Sequence, residues 1–205
     1  INVFTNSFGK MSGVVYGANS RKIRNYLQIG NKIYIFHNSK NDNKFGYFKT
    51  ELVDPVSPRY FNDKLKTSCI ISATSLLNIL LPESQSYKNI YESLDNLFMN
   101  FDLQNWIIIY IFWEINLIKE LGFGPNLNNY SSEIKNDDKI IKINIDNLLY
   151  QVPSFLITEK IPPEISNKLI NKSLSFTRNI FLNKFFLPNN LIFPSSRIRL
   201  EGYFI

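Results

Sequence analysis

The sequence predicts an α+β protein in which a β-rich N-terminal segment precedes a mainly α-helical domain. Two observations support this class. Short apolar stretches separated by turn-forming residues fill the first quarter of the 205-residue chain, a pattern typical of strands. Beyond Pro55 and Pro58, apolar residues recur at helical spacing. Because prolines in a connecting segment mark domain boundaries, we predict one domain over residues 1–56 and a second over residues 57–205.

Four short strands are expected in the first domain. The segments Ile29–His37 and Phe45–Leu52 flank a cluster of turn-forming residues, so we predict that they form a hairpin. Two shorter strands, Asn2–Thr5 and Met11–Ala18, precede them. Ile1 opens in the middle of an apparent strand, and we expect a further strand ahead of it. Five short strands are typical of an oligonucleotide/oligosaccharide-binding (OB) barrel, so we predict an OB-type β-barrel whose first strand is missing.

The second domain is expected to be built mainly from helices. Apolar spacing predicts helices at Thr67–Leu81, Ser86–Phe101, Leu103–Leu121 and Glu164–Phe186. Asp102 is placed to cap the third helix. A small insertion over residues 127–152 precedes the fourth helix. Within it, the alternating segment Lys139–Ile145 predicts a small hairpin with Asn147–Val152.

The net positive charge of the chain is confined to its first third. Residues 1–66 contain eleven Lys and Arg residues against four Asp and Glu, whereas the rest of the chain contains twelve against thirteen. Charge concentrated in one segment indicates a polyanionic partner, and a nucleic-acid backbone is the commonest one. The alternative is a solvated basic surface that has no partner.

The residue pattern of the first domain favours nucleic acid over other polyanions. Lys and Arg fall at predicted turns and strand ends, where long side chains reach phosphates, and aromatic residues on which bases can stack lie between them. The candidate nucleic-acid-binding residues are Lys10, Arg21, Lys22, Arg24, Lys44, Lys49, Tyr16, Tyr34 and Tyr47. The link Arg21–Arg24 is the first candidate among them. Phe36, Phe45 and Phe48 are expected to lie in the core instead.

No pattern in the sequence points to enzyme chemistry, a cofactor or a metal. One cysteine and one histidine cannot build a zinc site, which needs about four nitrogen or sulfur ligands. Cys69 lies in an apolar stretch and is expected to be a small buried hydrophobe, and His37 a strand-end residue. Glu114 within an apolar helix is expected to have a structural partner, such as a lysine or a helix N-terminus. The apolar run Trp106–Trp113 is too short to span a membrane, so no membrane partner is predicted.

Several segments taken in order resemble a known family. Val3-Phe4-Thr5, Gly9 and the stretch Ser12–Lys22 come first. Leu27–Asn31 and Phe45-Gly46 continue the likeness. The most specific segment is Trp113–Leu127, with the sequence WEINLIKELGFGPNL. In their order and spacing these segments resemble the RecO family of bacterial recombination mediators, and the last one is similar to alphaproteobacterial members.

The resemblance implies an N-terminal OB barrel on a helical domain and a non-enzymatic role in DNA repair. Such proteins bind single- and double-stranded DNA and anneal complementary strands coated with single-strand-binding protein (SSB). With RecR they help RecA to replace SSB, and the helical domain is expected to contact the acidic SSB tail. The implied location is cytoplasmic and nucleoid-associated.

Two points limit what the resemblance implies. Some relatives carry a Cys-rich zinc module after the Leu-Gly-Phe segment, but residues 127–152 contain no cysteine, so zinc binding is not expected. The basic segment alone also fits another class of protein. A non-enzymatic adaptor, whose basic barrel binds an acidic protein, remains the alternative.

Overall fold

The computed structural model describes residues 1–38, 46–134 and 139–205. Contacts divide the chain into two units, Ile1–Phe98 and Met99–Ile205. The first part of the chain contains, in order, β1 (Asn2–Thr5), β2 (Gly9–Val14), α1 (Arg21–Arg24), β3 (Lys32–Asn38), β4 (Gly46–Asp54), α2 (Val56–Arg59), α3 (Lys64–Leu80) and α4 (Lys88–Met99). The boundary predicted after residue 56 lies inside the first unit, and the division into functional domains at that point stays a prediction.

The four N-terminal strands form one sheet in the order β1-β2-β4-β3. The outer pairs β1–β2 and β3–β4 are antiparallel, and β3–β4 is the long hairpin that the sequence predicts. In the middle, β2 and β4 run parallel, and their pairing within the described residues joins Gly13 to Gly46 and Val14 to Tyr47. The sheet followed mainly by helices confirms the predicted α+β class.

The predicted barrel is not closed. Among the described residues, β1 and β3 are the two edges of the sheet and do not pair with each other. A barrel closes only when its first and last strands form backbone hydrogen bonds with each other. This in turn requires the strands to tilt and their hydrogen-bond register to be staggered by a fixed amount. Within the described part of the chain, two residue pairs join β2 to β4, and no further strand bridges the free edges of β1 and β3. The OB-type barrel is therefore corrected to an open four-stranded sheet.

Helices α3 and α4 supply most of the core of the first unit. Asp63 caps α3 by accepting a hydrogen bond from the backbone N–H of Lys66 at 3.0 Å, so the helix begins three residues before the predicted Thr67. Cys69 and Ile90 are fully buried in α3 and α4. The prediction that Cys69 is a small buried hydrophobe is confirmed.

The second unit is mainly helical and contains one small hairpin. Its elements are α5 (Trp106–Glu120), a 3-10 helix (Leu127–Glu133), β5 (Ile140–Ile145), β6 (Leu148–Pro153), α6 (Ser154–Thr158), α7 (Asn167–Phe181), a π-helical turn (Leu182–Phe186) and α8 (Ser195–Gly202). The predicted hairpin is confirmed as β5 and β6. The prediction that Asp102 caps α5 is wrong, because the helix begins at Trp106 and its N-cap residue is Asn105. The Asn105 side chain makes no capping hydrogen bond. In the described part of the chain, no helix has the length and apolarity needed to cross a membrane.

Glu114 lies fully buried in the middle of α5. Tyr110 and Thr177 each donate a hydroxyl hydrogen bond to its carboxylate at 2.6 Å. Arg197 of α8 donates through Nε at 2.5 Å and through Nη2 at 3.0 Å. The expectation of a structural partner is confirmed, but the partner is an arginine from a helix that the sequence did not predict, and not a lysine or a helix N-terminus.

Candidate nucleic-acid interface

Three cations project from α1 into solvent. Ser20 caps this helix by accepting a hydrogen bond from the Ile23 backbone N–H at 3.4 Å. Arg21, Lys22 and Arg24 are exposed, and none forms an ion pair with a residue in the described ranges. Like charges so close on one short helix repel one another and do not stabilise it. The cluster is therefore better explained by an anionic partner than by the stability of the fold.

Helix α1 is held against β4 from both ends. The ring of Tyr16 packs on the ring of Tyr47 with 5.6 Å between centroids. After the helix, the Tyr26 hydroxyl donates to the Thr50 carbonyl at 2.7 Å. Residues 47 and 50 project from opposite faces of a strand, so the chain between Tyr16 and Tyr26 crosses the edge of β4 that β2 leaves unpaired. The segment that carries the α1 cations is therefore anchored to β4 on both sides, at Tyr47 and at Thr50.

The sheet presents an outer face rich in aromatic rings. In the β3–β4 ladder, Phe36 lies opposite Lys49 and Tyr34 lies opposite Glu51, and residues paired in this way share a face. Tyr16, Tyr34 and Phe36 are 74%, 62% and 58% exposed. Together with Tyr47, these residues form what we call the aromatic face. Lys49 also lies on it, opposite Phe36.

The inner face of the sheet lies towards the helices. Ile33 and Ile35, which alternate with Tyr34 and Phe36, line a cavity of about 500 Å³ together with Leu94 of α4. Phe48, on the inner face of β4, is 2% exposed. The two faces of the hairpin therefore differ: Phe48 is buried on the inner face, whereas the rings of Tyr34 and Phe36 are exposed on the outer face.

Of the predicted site residues that the structure describes, all but one lie on α1 or the aromatic face. The structure brings Arg21, Lys22, Arg24, Lys49, Tyr16, Tyr34 and Tyr47 onto α1 and the neighbouring aromatic face. Lys10 is engaged elsewhere, because its Nζ donates to the Asn78 carbonyl at 2.8 Å. Lys44 lies outside the described residues. The role of all these residues in binding stays a prediction.

Other cations of the basic segment are paired with acids. Lys32 donates to both carboxylate oxygens of Asp95, at 2.8 and 2.9 Å. The hydrogen bond with Asp95 raises the pKa of Lys32, and this effect exceeds the lowering caused by burial. Arg59 forms an ion pair with Asp54. By contrast, the three cations of α1 and Lys49 form no ion pair with any acid in the described ranges.

Phe36 is the residue of the aromatic face that the sequence interpretation missed. It was expected in the core with Phe45 and Phe48, and the expectation is wrong for Phe36 because its side chain is 58% exposed. Phe48 is confirmed as core, and Phe45 lies outside the described residues. The signal was present in the strict alternation from Ile33 to His37, which places Phe36 on the same face as Tyr34.

The polar side chains of the described residues show no grouping typical of a metal site. No group of three or more His, Cys, Asp or Glu side chains within the described ranges could hold a metal ion. His37 lies near the end of β3, as predicted, with its ring 5.4 Å from that of Phe48.

A family model and several known proteins similar to this chain all carry the name of one family. A family model described as the C-terminal region of recombination protein O matches residues 62–143. A protein of Ehrlichia chaffeensis named DNA repair protein RecO is 34% identical over 140 residues, which cover 67% of this chain and 57% of that protein. A protein of the same name from the Wolbachia of Drosophila simulans is 26% identical over 215 residues, covering 96% of this chain and 89% of that protein. A third, from Roseobacter denitrificans, is 30% identical and covers 68% and 58%. The matched part of the chain thus spans a little over half the length of the Ehrlichia and Roseobacter relatives.

Proposed function

This chain belongs to the RecO family of DNA repair and recombination proteins, and from that premise we propose that it binds DNA through α1 and the aromatic face. The observation that carries the proposal is the cluster of cations on α1, which form no ion pair within the described residues, together with the exposed rings. Cations that neutralise phosphates supply affinity for any nucleic acid. Rings add stacking on bases, which contributes about 1–3 kcal/mol per base and depends little on sequence.

We further propose that the protein acts as a non-enzymatic recombination mediator. Cations that neutralise two phosphate backbones reduce their mutual repulsion, and rings that hold bases unpaired keep them available for a complementary strand. These properties suit the annealing of complementary single strands coated with SSB, and the loading of RecA onto SSB-coated DNA with RecR. In this proposal the helical domain contacts the SSB tail, and the protein works in the cytoplasm on the nucleoid.

Reversing the charge of α1 tests DNA binding. Arg21→Glu, Lys22→Glu and Arg24→Glu in one variant should weaken binding to a single-stranded oligonucleotide strongly. The salt dependence should also flatten, because each lost phosphate contact removes about 0.7 from the slope of log K against log salt. A matched control reverses three exposed lysines of the second unit, Lys142, Lys160 and Lys168, which changes the net charge equally. Equal losses in both variants, or none in either, would contradict the assignment of the site to α1.

The same titration separates DNA binding from the adaptor alternative. An acidic peptide, such as oligoglutamate, offers charge but no base for the rings. Tight binding of the peptide without binding of the oligonucleotide would favour an adaptor. The mediator role itself is tested by annealing of SSB-coated complementary strands with and without RecR, in which the α1 variant should lose most of its activity.

A further inference from the structure

The exposed rings of Tyr34 and Phe36 are not explained by the stability of the fold. Both lie on β3, an edge strand, and neither packs on another ring of the described residues. More than half of each side chain is in contact with water. Large apolar groups are normally buried because their exposure to water is unfavourable, so two neighbouring exposed rings on one strand mark a binding surface.

We propose that Tyr34 and Phe36 make this site select single-stranded over duplex DNA, an inference that rests on the DNA-binding function proposed above. Side chains two residues apart on a strand are separated by roughly 6.6–6.8 Å. That separation is about twice the 3.4 Å rise between bases within one strand of a duplex. The two rings therefore match successive bases of an extended, unstacked strand. Bases inside a duplex present no free face to a ring, because each is already stacked on its neighbours.

The charges on the aromatic face give the bound strand an orientation. Lys49 lies opposite Phe36, whereas Glu51, two residues further along β4, lies opposite Tyr34. A phosphate is attracted to Lys49 and repelled by Glu51. The backbone of a bound strand should therefore follow α1 and Lys49, with its bases directed across β4 towards the rings of β3.

This arrangement separates affinity from selectivity. The α1 cations contact phosphates, which single strands and duplexes share, and so set the affinity for both. Tyr34 and Phe36 contact base faces, which only an unpaired strand offers, and so set the ratio between the two affinities.

The test compares two variants on two DNAs, a single strand of about 20 nucleotides and a duplex of the same length. Tyr34→Ala with Phe36→Ala should lower single-strand affinity by roughly tenfold or more. Duplex affinity should change less than about twofold, so that the ratio falls. The α1 charge reversal should lower both affinities and leave the ratio nearly unchanged. Phe61→Ala, a ring that is 79% exposed but lies away from the aromatic face, is the matched control.

The outcomes separate this inference from the function on which it rests. If the α1 reversal affects neither DNA, the proposed function fails. If the α1 reversal weakens both and the double alanine variant leaves the ratio unchanged, only the selectivity inference fails. Phe36→Trp gives a direct readout, since its added emission should be quenched by the single strand and much less by the duplex. Equal quenching by both DNAs would overturn the inference.

Discussion

Arg197 of α8 and Glu114 of α5 form a two-point ion pair in which neither side chain is exposed to solvent. The remaining bonding capacity of both groups is also used, because Arg197 Nη2 donates to the Leu174 carbonyl at 2.7 Å and Tyr110 and Thr177 bond to Glu114. Burial is the largest single effect on Arg197 and would lower its pKa. The charge of Glu114, the hydrogen bond to it, and the interactions with Tyr110 and Glu201 together outweigh burial, so the pKa is raised. The pair fixes the C-terminal helix to the centre of the second unit.

Removing the cation from this pair should be strongly destabilising. Arg197→Met leaves the buried carboxylate of Glu114 without a counter-charge, and breaking a buried pair in this way typically lowers the free energy of unfolding by about 3–5 kcal/mol. Urea denaturation followed by circular dichroism measures the change. Glu114→Gln combined with Arg197→Met should recover part of the loss, because no unpaired charge is then buried.

Arg199, exposed on the same helix, supplies the control for that experiment. Arg199→Met should change the free energy of unfolding by less than about 0.5 kcal/mol. Equal effects of Arg197→Met and Arg199→Met would show that the buried pair contributes nothing specific to stability.

The Lys32–Asp95 pair should give a pH dependence confined to alkaline solution. Because folding raises the pKa of Lys32 above its ordinary 10.5, its stabilising contribution is complete below that value. It is then lost as the pH rises through the higher folded pKa. The two side chains are about a third exposed, so we expect only about 0–1 kcal/mol. The contribution of the ion pair is the difference in the free energy of unfolding between the unmodified protein and Lys32→Met. It should be measured at neutral pH and again above pH 10.5. A contribution that disappears on acidification towards pH 7 would contradict the sign.

A side chain at residue 13, where β2 pairs with β4, should destabilise the protein. A Cβ on Gly13 would collide with the buried ring of Phe48. Gly13→Ala should therefore lower stability by about 1–3 kcal/mol, as overpacking of a core does. Thermal unfolding compares it with Gly202→Ala, where the added methyl group meets nothing within 4 Å. A Gly13→Ala protein as stable as the Gly202→Ala protein would show that this junction is not tightly packed.

Local pattern was enough to predict the hairpin and the character of its two faces. Alternation from Ile33 to His37 fixes which residues share a face, and it places Tyr34 correctly. The apolar character of Phe36 predicts a core position, whereas its place in the alternation predicts the outer face, where it lies. The two-residue alternation of a strand is the better predictor of burial here, because successive side chains must point to opposite faces of the sheet.

Features that depend on contacts distant in sequence could not be predicted. Barrel closure depends on how far β2 pairs with β4, and the strand lengths alone do not determine this. The partner of Glu114 is 83 residues away, in a helix that follows Pro194 and contains few apolar residues. That helix is stabilised by burial of Arg197 and Leu200 and has no strong apolar periodicity, so local pattern does not predict it.

The two predicted lysines at positions 10 and 49 should differ in their effect on DNA binding. Lys49 is exposed on the aromatic face, whereas Lys10 Nζ is held by the Asn78 carbonyl at 2.8 Å. Lys49→Met should weaken single-strand binding several-fold and reduce the salt slope by about 0.7, the value for one phosphate contact. Lys10→Met should leave affinity and slope nearly unchanged and lower the free energy of unfolding by about 1 kcal/mol, through the lost hydrogen bond. Fluorescence anisotropy across a salt series measures both slopes. A larger loss of binding for Lys10→Met than for Lys49→Met would move the interface from the aromatic face to the β1–β2 hairpin.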